Sequence, residues 1–83
     1  MTQYTDIVSY MSKNGGITNI QAGNIGVGRL SARIHELRIL GIGIDTVPVE
    51  FISRHGRKSR IAKYVFHSRE SEQFALERFV LAA

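Results

Sequence analysis

Apolar and polar positions follow two different periods along this chain, and the change comes at Gly41. Before it the period is helical. Tyr4, Ile7, Val8 and Met11 fall at i, i+3, i+4 and i+7 and predict a helix from Gln3 to Lys13. Thr2 is placed as its N-cap, and Asp6 in the first turn suits the helix dipole. Asn14-Gly15-Gly16 stops it, leaving Ile17 to form a β-bridge of one or two residues. Thr18 then reads as the N-cap of a short second helix, Asn19 to Asn24, weakened by Gly23 and anchored inward by Ile20 and Ile25. Gly26-Val27-Gly28 is a turn. Leu30, Ile34 and Leu37 at i, i+4 and i+7 predict a third helix from Gly28 to Leu40, with Gly41 as its C′ residue.

After Gly41 the period falls to two. Val47, Val49 and Phe51 alternate with Thr46, Pro48 and Glu50 in a half-buried strand from Ile44 to Ile52. Pro48 cannot donate a ladder hydrogen bond, so it marks an edge or a bulge. A second strand from Arg60 to His67 alternates Ala62, Tyr64 and Phe66 with Ile61, Lys63 and Val65, and Ser53 to Ser59 joins the two strands. From a cap at Ser68 a last helix begins with Glu70 and Glu72 near its start. Ala75, Leu76, Phe79 and Val80 line one side of it, while Phe74 and Leu81 point to the other. Two apolar sides need two covering surfaces. The expected division is therefore a domain over residues 1–67 and a helical tail over 68–83 that serves assembly, most simply as a symmetric homodimer.

This order is an α+β winged helix-turn-helix: three helices, a β-hairpin wing and a C-terminal helix. Charge placement adds a function to it. The net charge of the 83 residues is only +4, but no acid occurs from Phe51 to Phe66 while Arg54, Arg57, Lys58, Arg60 and Lys63 all do. A cationic hairpin tip behind an Arg-bearing helix is an electrostatic footprint for duplex DNA. On the third helix Arg29, Ser31, Ala32, Arg33 and His35 lie off the core face. Arg can bond guanine bidentately, Ser and His can donate to bases or phosphates, and Ala can touch a thymine methyl. N-terminal residues of such a helix reach base edges first, which favours Arg29, Ser31, Ala32 and Arg33 over Arg38. In the wing Arg54, His55, Arg57, Lys58 and Arg60 are the candidate phosphate contacts. The bland alternative is a solvated helix whose arginines pair with Glu36, and a hairpin whose charges protect an edge strand.

Other classes are disfavoured. There is no cysteine, which excludes disulfides and thiolate metal sites. His35, His55 and His67 are scattered without metal-ligand spacing, and the Gly23–Gly28 stretch lacks the Lys-Ser/Thr of a P-loop. No enzyme, metal or cofactor is expected. The N-terminus has no apolar run of a signal peptide, and no stretch approaches the roughly 18 apolar residues of a membrane span. The expected location is the cytoplasm of a bacterial host cell.

The segments ITNIQAGNIGVGRLSARIHELRILGIGIDT and RIAKYVF resemble the winged helix-turn-helix proteins of bacteriophages and prophages. The resemblance runs from Ile17 to Phe66. It implies DNA binding through Arg29 to Arg33 and through the wing around Gly56, in a transcriptional regulator or a recombination accessory factor such as an excisionase. Gly23 and Gly28 depart from the pattern, and the tail after Ser68 lies outside it. Both departures point to the competing reading, a winged-helix interaction module that binds a host or phage protein.

Overall fold

The computed structural model describes residues 3–81. Thr2, expected as a cap, lies outside them. The elements run α1 (Gln3–Asn14), β1 (Ile17–Thr18), α2 (Asn19–Asn24), α3 (Leu30–Ile39), β2 (Ile44–Ile52), β3 (Lys58–Phe66) and α4 (Arg69–Leu76). A wider π-helical turn, Glu77–Leu81, closes α4. The α+β class and the winged architecture are as the sequence predicts.

The core assembles from the helical stripes. Ile7, Val8 and Met11 of α1 meet Leu30, Ile34 and Leu37 of α3, and Ile17, Ile44 and Tyr64 close it from the sheet. Residue Ala75 brings α4 into the same cluster, with Leu76, Phe79 and Val80 packed around it. Thr5 Oγ1 donates to the Phe79 carbonyl at 2.8 Å, and Ser12 Oγ donates to Glu72 Oε2 at 2.7 Å. Tyr4 meets Phe79 edge to face. One side of the tail is thus seated on α1.

Two helix ends follow directly from local chemistry. Thr18 and Gln21 form a capping box: Gln21 N donates to Thr18 Oγ1 at 3.3 Å, and Thr18 N donates to Gln21 Oε1 at 3.0 Å. Thr18 is buried, so water cannot replace the lost oxygen in a Thr18→Ala variant. The expected cost is about 1 kcal/mol. That is a fall of roughly 4–8 °C in Tm, with most of it recovered in Thr18→Ser. Thermal unfolding followed by circular dichroism checks it. At the other end of the helix pair, α3 closes in a Schellman motif: Gly41 (φ 96°) donates to Arg38 O at 3.0 Å and buried Ile42 to Leu37 O at 3.1 Å.

The sheet order is β1-β3-β2, all antiparallel, so β2 is an edge strand and Pro48 sits on it without a bulge. Ile17 pairs with Tyr64, and Ile44 to Ile52 pair continuously with Phe66 to Lys58.

Four expectations change. Ile20 and Ile25 are not inward anchors: they are 43% and 38% exposed, and Ala22 and Val27 fill the core in their place. Helix α3 begins at Leu30 rather than Gly28, because Arg29 takes a left-handed conformation (φ 55°). β3 starts two residues earlier than expected and ends at Phe66, which shortens the turn to Ser53–Arg57. Finally, Val47, Val49 and Phe51 form the face turned away from the core, with Val47 40% exposed. The register instead pairs Ile44 with Phe66 and Thr46 with buried Tyr64 on the inner face.

Candidate nucleic-acid interface

The wing tip is built by a short hydrogen-bonded turn. Ser53 N donates to Arg57 O at 2.9 Å, Gly56 N donates to Ser53 O at 2.9 Å, and Arg57 N donates to Ser53 Oγ at 3.1 Å. Gly56 has φ +80°, which an L side chain rarely adopts, so its place in the turn is chemically required. Around it Arg54, His55, Arg57, Lys58 and Arg60 are all exposed. Among the described residues, no carboxylate lies within ion-pair distance of these side chains; the ion pairs are Arg33–Glu36 and Asp45–His67. The register does place Glu50 opposite Arg60, a partial neutralisation that the run of acid-free sequence does not reveal.

Lys58 and Arg60 share the inner face of the hairpin with Thr46, and Thr46 is tied to α3. Arg38 Nη2 donates to Thr46 Oγ1 at 2.9 Å, its Nε donates to the Ile44 carbonyl at 3.0 Å, and its guanidinium lies 6.0 Å from the Tyr64 ring centre. Arg38 is therefore a strut between the helix and the wing.

The candidates on α3 separate by environment. Arg29, Ser31 and His35 are exposed, and Ala32 is half-buried. Arg29 occupies the N-cap position without capping the helix through its side chain, so the first amides of α3 have no side-chain acceptor. Arg33 is half-buried and held by Glu36: its Nη2 donates to Oε2 at 3.2 Å, and its Nε lies 3.1 Å from Oε1. Glu36 also accepts the Tyr4 hydroxyl. That hydrogen bond raises the Tyr4 hydroxyl above its ordinary pKa of 10.0, and burial and the Glu36 charge add to the rise. Tyr4 and Glu36 hold Arg33, and Arg38 holds the hairpin; the candidate set from sequence omits all three. The Arg33–Glu36 spacing of i, i+3 is a visible signal. Tyr4 lies 32 residues away from Glu36 and gives none.

A trihelical core with a two-residue strand, β1, between α1 and α2 and a cationic hairpin after α3 is a specific arrangement. The family profile described as a winged helix-turn-helix domain matches residues 2–69. The chain belongs to the winged helix-turn-helix family. In winged helix-turn-helix terms α2 and α3 are the helix pair, β2 and β3 the wing and Ser53–Arg57 its tip. Membership points to double-stranded DNA as the ligand. No curated protein and no solved structure matches the chain. No helix among the described residues is long and apolar enough to cross a membrane. No cluster of His, Asp and Glu among them could hold a metal ion.

Proposed function

We propose that this winged helix-turn-helix protein is a small sequence-specific DNA-binding protein of phage type, a transcriptional regulator or a recombination accessory factor. Helix α3 enters the major groove, and the wing lies on the backbone or in the adjacent minor groove. The observation that carries the reading is the wing: four Arg and Lys side chains around Gly56, exposed and, among the described residues, without an ion pair, on a hairpin braced to α3 by Arg38. Arg54, Arg57, Lys58 and Arg60, with His55, take phosphates. Arg29, Ser31, Ala32, Arg33 and His35 meet base edges, and the uncapped start of α3 suits a phosphate oxygen. Arg33 arrives already paired, so its release from Glu36 accompanies any bidentate guanine contact.

The test is a titration against a duplex selected from genomic fragments and against random duplex. Arg29→Ala and Arg33→Ala should each cost about 1–3 kcal/mol on the selected site and less on random DNA. An unchanged ratio in both variants would remove α3 as the reader.

One observation favours the interaction-module reading. The outer face of the hairpin, with Ile20, Val49, Phe51 and Ile61, lines a shallow groove of about 300 Å³. Binding to a protein through this groove would be largely insensitive to salt, whereas DNA affinity should fall steeply with it.

A further inference from the structure

The exposed side of α4 carries an ordered pattern. The side chain of Phe74 is 43% exposed at the centre of the segment Arg69-Glu70-Ser71-Glu72-Gln73-Phe74-Ala75-Leu76-Glu77-Arg78. Glu70 lies four residues before it and Arg78 four after, so all three lie on one helical stripe, and all three are exposed. Leu81, 66% exposed, follows in the π-helical turn. The buried side of α4 is already occupied, by α1 and the core through Ala75, Leu76 and Phe79. Next to Phe74 the end of α3 is bare: a Cβ on Gly41 would stand 3.9 Å from the Phe74 ring, and the preceding Leu40 is exposed.

We propose that this stripe is a self-complementary interface, and that its occupant is a second copy of the chain with α4 antiparallel to the first. The charge order selects this partner. A two-fold axis through Phe74 stacks one Phe74 on the other and brings Glu70 of each copy opposite Arg78 of its partner, twice. A parallel arrangement would instead set Glu70 against Glu70 and Arg78 against Arg78. In the free chain Arg78 rests over the Phe79 ring, 5.9 Å from its centre, and the pairing draws it from there to Glu70 of the second copy. The contact is small, so dimerisation in solution is weak, with a Kd on the order of 100 µM. DNA carrying two half-sites would strengthen it by holding both copies at high effective concentration. The proposal concerns the free protein and stands or falls without the DNA-binding reading.

Sedimentation equilibrium of the full chain, without DNA and up to about 1 mM, tests it. Wild type should self-associate to dimer. Phe74→Glu should weaken that roughly a hundredfold, since two aromatic contacts are lost to two carboxylates. Glu70→Arg and Arg78→Glu should each weaken it about tenfold, and the double variant, which restores two opposite-charge pairs, should return to near wild type. All three positions are exposed in the monomer, so unfolding transitions should change little and will separate misfolding from lost association. A wild-type monomer at the highest concentration overturns the proposal. So does a dimer indifferent to Phe74→Glu, or a double variant weaker than either single.

Discussion

Replacing Arg54, Arg57, Lys58 and Arg60 together with alanine should lower affinity for every duplex roughly a thousandfold at 0.1 M salt. The reasoning is electrostatic. Each neutralised phosphate contributes about 0.9 to the slope of log K against log salt, so removing four contacts should flatten that slope by about 3–4. Preferred and random sequences should lose affinity alike, because phosphate contacts carry no base information. The fold should survive, since these side chains are exposed and make no ion pair among the described residues, and surface changes of this kind usually stay within about 0.5 kcal/mol each. Anisotropy titrations across a salt series decide it. Affinity lost at constant slope would mean that the tip does not sit on phosphates.

Gly16→Ala should be the most damaging single substitution for stability. Gly16 is buried where α1 turns into β1, at φ +150°. A Cβ there would lie 2.8 Å from the Tyr64 carbonyl oxygen, 2.9 Å from Val65 Cγ1 and 2.7 Å from Lys63 Cε. The lysine end can move aside. The Tyr64 carbonyl cannot, because β3 is fixed between β1 and β2. Backbone strain costs about 1–3 kcal/mol, and overpacking adds about 1–3 more. A small domain has roughly 5–15 kcal/mol in total. Denaturant unfolding should show a midpoint lowered by the equivalent of about 2–6 kcal/mol, a large share of that margin. Gly15→Ala is the control: its φ of +77° is also unfavourable, but nothing lies within 4 Å of the new methyl. Equal losses at the two positions would mean that conformation alone, and not the approach of β3, sets the cost.

The sequence makes some of this legible and hides the rest for identifiable reasons. Ile7, Val8 and Met11, and again Leu30, Ile34 and Leu37, repeat over enough turns to fix the phase of α1 and α3, and all six are buried as the period requires. α2 is six residues long, fewer than two turns, so its pattern cannot fix a phase. Ile20 and Ile25 are the larger side chains there, yet small Ala22 faces in, because the capping box at Thr18 sets the rotation of the helix. Alternation along β2 separates its two faces but does not say which is inner; pairing with Tyr64 decides that. The wing cations are legible because exposure needs no partner. The constraint on Arg33 is legible only in part, since Glu36 is local but Tyr4, which helps hold Glu36, arrives from α1 through the tertiary fold.

Arg38 spans the gap between α3 and β2 with three separate attachments, to a carbonyl, a hydroxyl and an aromatic ring. On the proposed reading, a helix in the groove and a hairpin joined to it in this way share one lever arm. The tilt of α3 in a groove and the height of the wing over the neighbouring strand then become a single mechanical coordinate. A duplex whose groove width suits one but not the other is penalised at both, so the protein would sense the local shape of DNA at base pairs it does not touch. Cutting the strut should leave each contact surface intact while decoupling them, and the mark of that is additivity: wing and helix substitutions that interact in the native protein would act independently in an Arg38→Ala background.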